Sequence, residues 1–502
     1  MKPFAWREPF QRGWFWTVQA LWALFLVTLP ITSFPFFPAA LGGGTLVRPA
    51  SVYPLLALSV LVTLPRLFQQ PLPRTVLSLF PFVLVAILGT SFAPLRSIEA
   101  AQGISVEERM VRGLVTLGLG VAFYLTVALF PQGDEDLRRA LRWLYLGFAL
   151  ALFWGSLQAV YVIHFERNWF NLLSIVQRWI SIRRLFNNRV SGMTYEPNWF
   201  ADQISFLLLP WLLAAVISNY TVFSWRWHRV TVEALLLLWA IALLPFTFSR
   251  AGLFVLLVLV VVSVFGLMSW RKASSRWGRL FFNRFFVGGT LLLVLLLLIY
   301  LAGTRNPFFG RLWGYWQREP TEGYGEYLKG YLEYLGFGAR FTYWETAYRI
   351  YEAYPWLGVG LGNYAFYFEE YLPDKALATT PEVLRSLVPE VGRSRLITSK
   401  NFYLRILAES GLLGAATFLA FIVAIVGCVA YLWFEARLEF RYWGVAGLLG
   451  LIAFSLIAFS FDSFAIPNQW IVFGFITAAV RIASAHPDRP LGRSKSDQLT
   501  RL

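Results

Sequence analysis

Residues 231–269 read TVEALLLLWAIALLPFTFSRAGLFVLLVLVVVSVFGLMS, and this stretch decides the fold class. It contains two apolar runs, 231–248 and 251–269, which meet at Ser249 and Arg250 with hardly any loop between them. About 18 predominantly apolar residues are enough for a helix to cross a hydrocarbon core roughly 30 Å thick. The stretch therefore predicts two transmembrane helices in immediate succession.

The rest of the chain has the same apolar character. Hydrophobic residues make up 57% of the 502 residues and charged residues only 14%, whereas a soluble domain has about 25% charged residues. A soluble core could hide one or two such helices but not this many, so the sequence predicts a polytopic all-α membrane protein. Further runs of spanning length lie at 112–130, 285–302, 411–433 and 444–461.

All the apolar runs together predict about twelve transmembrane helices. The second is short and flanked by prolines, and the tenth can begin outside the membrane. The first is too long for a cleaved signal peptide, so it is retained as a helix. The predicted crossings are 14–34, 52–65, 75–92, 112–130, 143–163, 199–217, 231–248, 251–269, 285–302, 403–433, 444–461 and 465–482.

The distribution of charge orients these helices. The net charge is +16, but the basic residues lie in short loops and near the two ends of the chain, so nucleic acid is not an expected partner. The positive-inside rule places both ends and the 269–284 loop in the cytoplasm. Three long segments, 93–111, 164–198 and 303–402, then lie on the opposite side of the membrane.

The predicted organisation therefore has four parts. Residues 1–302 form a membrane domain with helices one to nine, and residues 303–402 form one large extracytoplasmic loop. Residues 403–483 form helices ten to twelve. The polar residues 484–502 form a cytoplasmic tail that we expect to be disordered.

The outer segment 164–198 departs from the charge rule, because it is rich in arginine. Its apolar residues recur at helical spacing around Trp169 and Trp179, which predicts an amphipathic helix in the membrane interface. A simple anchor and a functional arginine cluster are both compatible with this pattern. The arginines are Arg167, Arg178, Arg183, Arg184 and Arg189.

The segment 303–402 carries equal numbers of acidic and basic residues. If 322–335 is helical, four tyrosines share one face, and a second helix is predicted over 340–354, ending before Pro355. Tyrosine faces suit sugar rings, but core packing and interfacial anchoring produce the same pattern. The tyrosines are Tyr324, Tyr327, Tyr331 and Tyr334.

Most familiar catalytic signatures are absent from the sequence. It has no Walker loop, no HExxH motif and only three scattered histidines, so we predict neither a metal site nor a cofactor. Cys428 is the single cysteine and excludes an internal disulfide.

Arginines beside the outer boundaries of the helices remain as candidates. Arg250 stands between two apolar runs, at a depth where an unused charge is a liability; the alternative is a turn residue whose side chain snorkels to the interface. Arg189 precedes a flexible Ser191-Gly192 turn at the entrance of the sixth crossing. Guanidinium groups grip phosphate in bidentate fashion without losing their proton, so both positions suit an anionic ligand.

Four stretches around these arginines have the order and spacing of a known family. They resemble the O-antigen ligase and polymerase family of lipid-linked glycan transferases, the Wzy and WaaL type. The layout of about twelve helices, with one large outer loop between the ninth and tenth, is similar as well. The stretches are Arg189-Val-Ser-Gly with Glu196-Pro-Asn, Phe248-Ser-Arg250-Ala-Gly, Arg340 with Trp344 and Tyr354-Pro-Trp-Leu-Gly-Val-Gly-Leu-Gly362, and Ser399-Lys-Asn-Phe-Tyr-Leu with Glu409-Ser-Gly-Leu-Leu-Gly414.

The resemblance implies a GT-C-like membrane glycosyltransferase of the bacterial inner membrane, with its active site facing the periplasm. Such enzymes move a glycan from undecaprenyl pyrophosphate, without a cofactor, and a chain-length regulator is a candidate partner beside the membrane lipids. The implied catalytic residues are Arg189, Arg250, Arg340 and Lys400. The implied substrate-binding residues are Glu196, Asn198, Tyr343, Gly360, Asn401 and Glu409.

Lys400 is a departure from the family pattern, because family ligases typically have histidine before this asparagine. Histidine can accept a proton near neutral pH, whereas lysine has a reference pKa near 10.4. Lys400 is therefore either a base with a strongly lowered pKa or one more phosphate ligand. In the second case the candidate bases are Glu196, Glu345 and Glu409.

The departure favours an O-antigen or exopolysaccharide polymerase over a ligase that caps lipid A-core or another acceptor. A flippase for lipid-linked sugars is the alternative from another class. Carriers usually place acidic residues deep within helices and show internal repeats. Neither feature is evident here, and a large one-sided loop favours chemistry on that side.

Overall fold

The computed structural model describes residues 7–38, 46–95, 100, 103–228, 230–267, 307–315, 327–374, 396–436 and 438–485, with isolated positions at 293, 297, 300, 382, 383 and 387. These residues are mostly helical. The helices are α1 (Arg7–Val27), α2 (Val52–Gln69), α3 (Arg74–Ser91), α4 (Val106–Leu129), α5 (Asp134–Ile163), α6 (Arg167–Ile180), α7 (Pro197–Ser218), α8 (Val232–Leu243), α9 (Arg250–Val261), α10 (Pro307–Gly314), α11 (Tyr327–Leu332), α12 (Gly338–Ala353), α13 (Tyr364–Tyr367), α14 (Phe402–Phe434), α15 (Arg441–Ile457) and α16 (Asn468–Ser484). A two-residue hairpin, β1 (Arg226–Trp227) and β2 (Val230–Thr231), leads into α8.

Within the described ranges, six helices are long and apolar enough to cross a membrane: α2, α3, α4, α5, α7 and α14. Shorter apolar helices include α8, α9 and α15. The prediction of a mostly helical membrane protein is confirmed in this form. The ninth predicted crossing, 285–302, lies outside the described residues except at three positions, so the count of twelve and the single large outer loop stay predictions.

Each of the other predicted crossings overlaps a helix, but several differ in their bounds. The first, predicted over 14–34, is the helix Arg7–Val27, and the fourth, predicted from 112, begins at Val106. The second, predicted over 52–65, continues to Gln69 and contains a π-helical turn at Ser59–Thr63. The fifth, predicted from 143, begins at Asp134. Its first turns are charged and therefore gave no apolar signal, yet acidic residues at a helix start are stabilised by the helix dipole.

The core is aromatic and continuous across the bundle. The rings of Trp22 and Phe130 stack with centroids 4.2 Å apart, and Trp211 lies 5.5 Å from Trp443. Helix α14 packs on α3, α16 on α4, and α15 on α7. Nearly all residues of α7 are buried, which makes it the central helix among the spanning candidates.

Helix α6 confirms the amphipathic helix predicted within 164–198. One face is fixed to α5, where the indole N–H of Trp154 donates to Gln177 at 2.8 Å and that of Trp169 donates to the Leu157 carbonyl at 3.0 Å. The opposite face exposes Trp179 and several aliphatic side chains. An apolar face turned away from the bundle is typical of a helix lying in the membrane interface.

The predicted helix over 340–354 is observed as α12. The predicted helix over 322–335 is observed only in its second half, as α11 and a following turn to Phe337, because 321–326 lie outside the described residues. The tail 484–502 also lies outside them beyond residue 485.

Helix α14 is interrupted at Gly411, where the backbone adopts φ 64° and ψ −167°. The interruption is filled by the turn between α12 and α13. The amide of Leu412 donates to the Pro355 carbonyl at 2.7 Å, and the amide of Val359 donates to the Ala408 carbonyl at 2.9 Å. The turn is thereby pinned to the start of a membrane helix.

The interruption gives a test of this packing. A Cβ atom at Gly411 would collide with the Trp356 backbone, and the backbone conformation there is almost restricted to glycine. We expect Gly411→Ala to lower the free energy of unfolding by at least about 1–3 kcal/mol, measured as a lower melting temperature in detergent.

Gly427→Ala in the same helix is the matched control, since a Cβ atom there meets nothing within 4 Å. It should melt at or slightly above the wild-type temperature, because alanine is the better helix former. Equal melting temperatures for the two variants would contradict the described packing of the turn.

Candidate functional site

Arg189 is held in place by backbone and side-chain oxygens from two elements. Its Nε donates to the Thr247 carbonyl at 2.8 Å, and one terminal nitrogen donates to Asn198 Oδ1 at 2.8 Å. Asn198 lies in the first turn of α7, and Thr247 lies directly before α9. Arg189 therefore joins the starts of these two helices.

The loop that carries Arg189 is itself fixed to α5. Gln158, which is fully buried, accepts hydrogen bonds from the amides of Ser191 and Gly192 at 3.0 Å each and donates to the Gly192 carbonyl at 2.9 Å. One buried glutamine thus forms hydrogen bonds with three backbone groups of the turn that follows Arg189. The guanidinium is presented from a rigid loop.

Arg250 is the first residue of α9. Ser249 caps this helix by accepting the Gly252 amide at 3.3 Å, and Phe248 before it has a positive φ of 50°. Non-glycine residues with positive φ are uncommon and often occur at functional sites. The guanidinium of Arg250 donates to the Leu335 carbonyl, in the turn between α11 and α12.

The positive charge of Arg250 acts on Arg189. Burial lowers the pKa of the Arg189 guanidinium first, the charge of Glu196 opposes this, and the positive charges of Arg250 and Arg183 lower the pKa further. A half-buried guanidinium whose charge is opposed by a second guanidinium favours the binding of an anion.

Lys400 also has a positive φ, 50°, directly before Asn401, which caps α14. Its amide donates to Asp462 Oδ2 at 2.7 Å, and its Nζ donates to Glu382 Oε1 at 2.9 Å. The same Nζ lies 4.5 Å from the ring centroid of Tyr343, a cation–π distance.

These contacts decide the charge state of Lys400. Burial alone would lower its pKa, but Tyr343 and Glu382 outweigh burial, so the pKa lies above the ordinary value for lysine. Lys400 is therefore a permanent cation near neutral pH and is not suited to accept a proton.

Arg340, on α12, connects the two groups of cations. It donates to the Phe459 carbonyl at 3.4 Å, and its charge acts on both Lys400 and Asp202. Since α12 starts only a few residues after Leu335, Arg340 lies near the contact that Arg250 makes. The structure thus pairs Arg189 with Arg250 and Arg340 with Lys400, and the Leu335 contact joins the first pair to the segment that leads into α12.

The carboxylates considered as bases are all engaged in ion pairs. Glu196 pairs with Arg183 at 2.7 Å and Glu345 with Arg349 at 2.8 Å, both partly exposed. Glu409 pairs with Arg405 at 2.8 Å, and both side chains are almost fully buried.

Two of the residues predicted to bind substrate make hydrogen bonds to backbone groups in the structure. The amide of Gly360 donates to the Glu409 carbonyl at 2.9 Å. The side chain of Asn401 accepts the amides of Tyr403 and Leu404 at 3.0 and 3.1 Å. Tyr343, also predicted, is buried and holds its ring against Lys400.

The structure adds residues that the sequence did not reveal. Arg405 donates to the Asp462 carbonyl as well as pairing with Glu409. Arg109, on α4, donates to the Gly362 carbonyl at 2.7 Å and so fastens the end of the glycine turn. Asp202 could have been noticed, because it lies one helical turn after Asn198 on the same face of α7.

No metal site is evident from these side chains. Among the residues that the structure describes, no group of three or more His, Cys, Asp and Glu side chains is close enough to hold a metal ion.

A family model described as O-Antigen ligase, Wzy_C, matches residues 235–419. The matched segment contains Arg250, Arg340, Gly360, Lys400 and Glu409, whereas Arg189 precedes it. No curated protein matches the chain. Over residues 235–419, this match confirms the resemblance to the O-antigen ligase and polymerase family.

Proposed function

We propose that this protein transfers a glycan from an undecaprenyl-pyrophosphate donor to an acceptor hydroxyl, and that it acts as an O-antigen or exopolysaccharide polymerase. The observation that carries the proposal is the juxtaposition of Arg189 and Arg250 at the starts of α7 and α9. The match of residues 235–419 to the O-Antigen ligase family model supports a glycan transferase of the ligase or polymerase kind.

The chemistry needs little more than positioned charge. As the bond between the anomeric carbon and the pyrophosphate oxygen breaks, negative charge grows on the pyrophosphate. Arg189 and Arg250 bind that group, and their fixed guanidinium groups stabilise the leaving charge without reorganisation. The starts of α7 and α9 add the positive ends of two helix dipoles.

Arg340 and Lys400 extend the cationic surface from the pyrophosphate toward the glycan. Lys400, held as a cation by Glu382 and Tyr343, serves as a ligand for phosphate or for a glycan oxygen. Tyr343 and Asn401 position Lys400 from either side, and Asn198 orients Arg189. Gly360 and Glu409 maintain the turn and the helix start that carry these groups.

The proposed setting is the bacterial inner membrane, with the site facing the periplasm and the 303–402 segment on that side. Membrane lipids and the lipid-linked glycan are the partners. A chain-length regulator is a further partner if the product is a polymer.

A ligase is the second candidate, because the matching family model is described as O-Antigen ligase. The two activities differ in their products. Purified protein incubated with an undecaprenyl-pyrophosphate oligosaccharide should yield a ladder of lipid-linked repeats if it is a polymerase. Transfer of a single block only when lipid A-core is supplied would identify a ligase instead.

The role of the two arginines predicts a severe loss on substitution. We expect Arg250→Ala and Arg189→Ala each to reduce the rate of glycan transfer by about 10²–10³-fold, as for the loss of one fixed donor to a developing anion. Membrane insertion should change little, and mass analysis of the lipid products measures the rate.

Arg178→Ala is the matched control, since this exposed arginine lies on α6 away from the cluster. It should retain wild-type transfer. Near-normal product from Arg250→Ala would defeat the assignment.

The charge state of Lys400 predicts that its positive charge matters and that its deprotonation does not. Lys400→Arg should retain part of the activity, and Lys400→Met should lose most of it. Because the pKa of Lys400 lies above its ordinary value, wild type and Lys400→Arg should show the same shape of pH–rate profile between about pH 6 and 9. An alkaline limb that vanishes in Lys400→Arg would show that lysine acts as the base.

A further inference from the structure

Asp202 lies on α7 at the point where the regular helix gives way to a π-helical turn, Gln203–Leu208. It is only 9% exposed. Residues four apart share one face of a helix, so Asp202 lies beside Asn198, which binds Arg189.

The neighbours of Asp202 place it close to Arg340 and to the start of α9. The charge of Arg340 acts on it from α12, and the preceding residue, Ala201, packs against Gly252 in the first turn of α9, which begins at Arg250. On the side of Asn198, the next helical turn of α7 binds Arg189.

Asp202 differs from the other carboxylates near the site in what its side chain touches. Glu196 and Glu409 are each held in an ion pair below 3 Å. Across the described ranges, the carboxylate of Asp202 makes no hydrogen bond and no ion pair, although Arg340 acts on it at longer range. A buried carboxylate normally has a hydrogen-bond partner, because burial without one is costly.

We propose that Asp202 is the general base that takes the proton from the acceptor hydroxyl during glycan transfer. This inference rests on the proposed function. As the acceptor oxygen bonds to the anomeric carbon, its proton passes to the Asp202 carboxylate. The bond from that carbon to the pyrophosphate breaks, and its electron pair leaves on the pyrophosphate held by Arg189 and Arg250.

The assignment explains how the site can work with a lysine where family ligases typically have histidine. A base must reach the hydroxyl as it attacks, and it must be a separate group from the cations that hold the leaving group. Asp202 lies one helical turn from Asn198, which binds Arg189, and among the described residues it makes no ion pair with these cations. Lys400 then does not need to accept a proton.

Asp202→Asn tests the proposal, since it keeps the shape of the side chain and removes the base. We expect kcat to fall by about 10²–10⁴-fold, the usual contribution of a general base, while the affinity for the undecaprenyl-pyrophosphate donor stays within about twofold of wild type. The wild-type fall in rate at acidic pH should be absent from the residual activity. Asp136→Asn, on α5 outside the cluster, should match wild type.

A second variant separates a base from a residue that only positions Arg340. Asp202→Ala should recover activity when formate is added, because formate can occupy the space and accept the proton. Weaker donor binding in Asp202→Asn with kcat retained would overturn the proposal in favour of a positioning role, and so would near-normal transfer. If wild-type protein makes no glycan product at all, the proposed function fails instead.

Discussion

The approach of two half-buried arginines, Arg189 and Arg250, is the constraint around which this end of the molecule is built. Burial disfavours the charge of both guanidinium groups, and the charge of Arg250 disfavours that of Arg189 further. Both are held by backbone carbonyls, of Thr247 and of Leu335. These carbonyl groups accept hydrogen bonds from the guanidinium groups without carrying a full opposite charge, which leaves the site suited to an anionic ligand.

The same constraint accounts for the local backbone geometry. Phe248 is in the left-handed region immediately before α9, which lets Ser249 cap the helix while Thr247 and Phe248 present their carbonyls to Arg189. A regular helix through this point would bury those carbonyls in its own hydrogen bonds. The break between α8 and α9 is therefore what allows two arginines to share one place.

The glycine turn, residues 358–362 between α12 and α13, links the elements that carry the other two cations, Arg340 and Lys400. Gly358 has a positive φ of 66°, and its turn bonds to the interrupted start of α14 through the Ala408 and Glu409 carbonyls. Helix α12 leads into this turn, and Lys400 lies just before α14. The turn thus joins the end of α12, which carries Arg340, to the start of α14, which follows Lys400.

The sequence predicted well what depends on composition and local period. Apolar runs located the helices, the spacing of Trp169 and Trp179 located α6, and the cost of a charge between two apolar runs singled out Arg250. The start of α5 was missed because its first turns are charged. These features are properties of short stretches, so they can be recognised without knowing what packs against them.

The features that depend on tertiary contacts could not be predicted in this way. The sequence left three carboxylates open as the base: Glu196, Glu345 and Glu409. Only the ion pairs seen in the structure distinguish them from Asp202. The sign of the pKa shift at Lys400 depends on Glu382 and Tyr343, which are distant in sequence. The interruption of α14 at Gly411 required the position of the turn that fills it.

The replacement of histidine by Lys400 bears on how the reaction is divided among residues. A histidine at this position could serve first as a base and then as a cation, because its pKa lies near neutral pH. Lysine held beside Glu382 can serve only as the cation. In the proposed reaction, proton transfer then belongs to another group near the site that is not neutralised by an ion pair. Asp202 meets that requirement, because it lies on α7 one helical turn from Asn198, which binds Arg189, and only the longer-range charge of Arg340 is seen to act on it among the described residues.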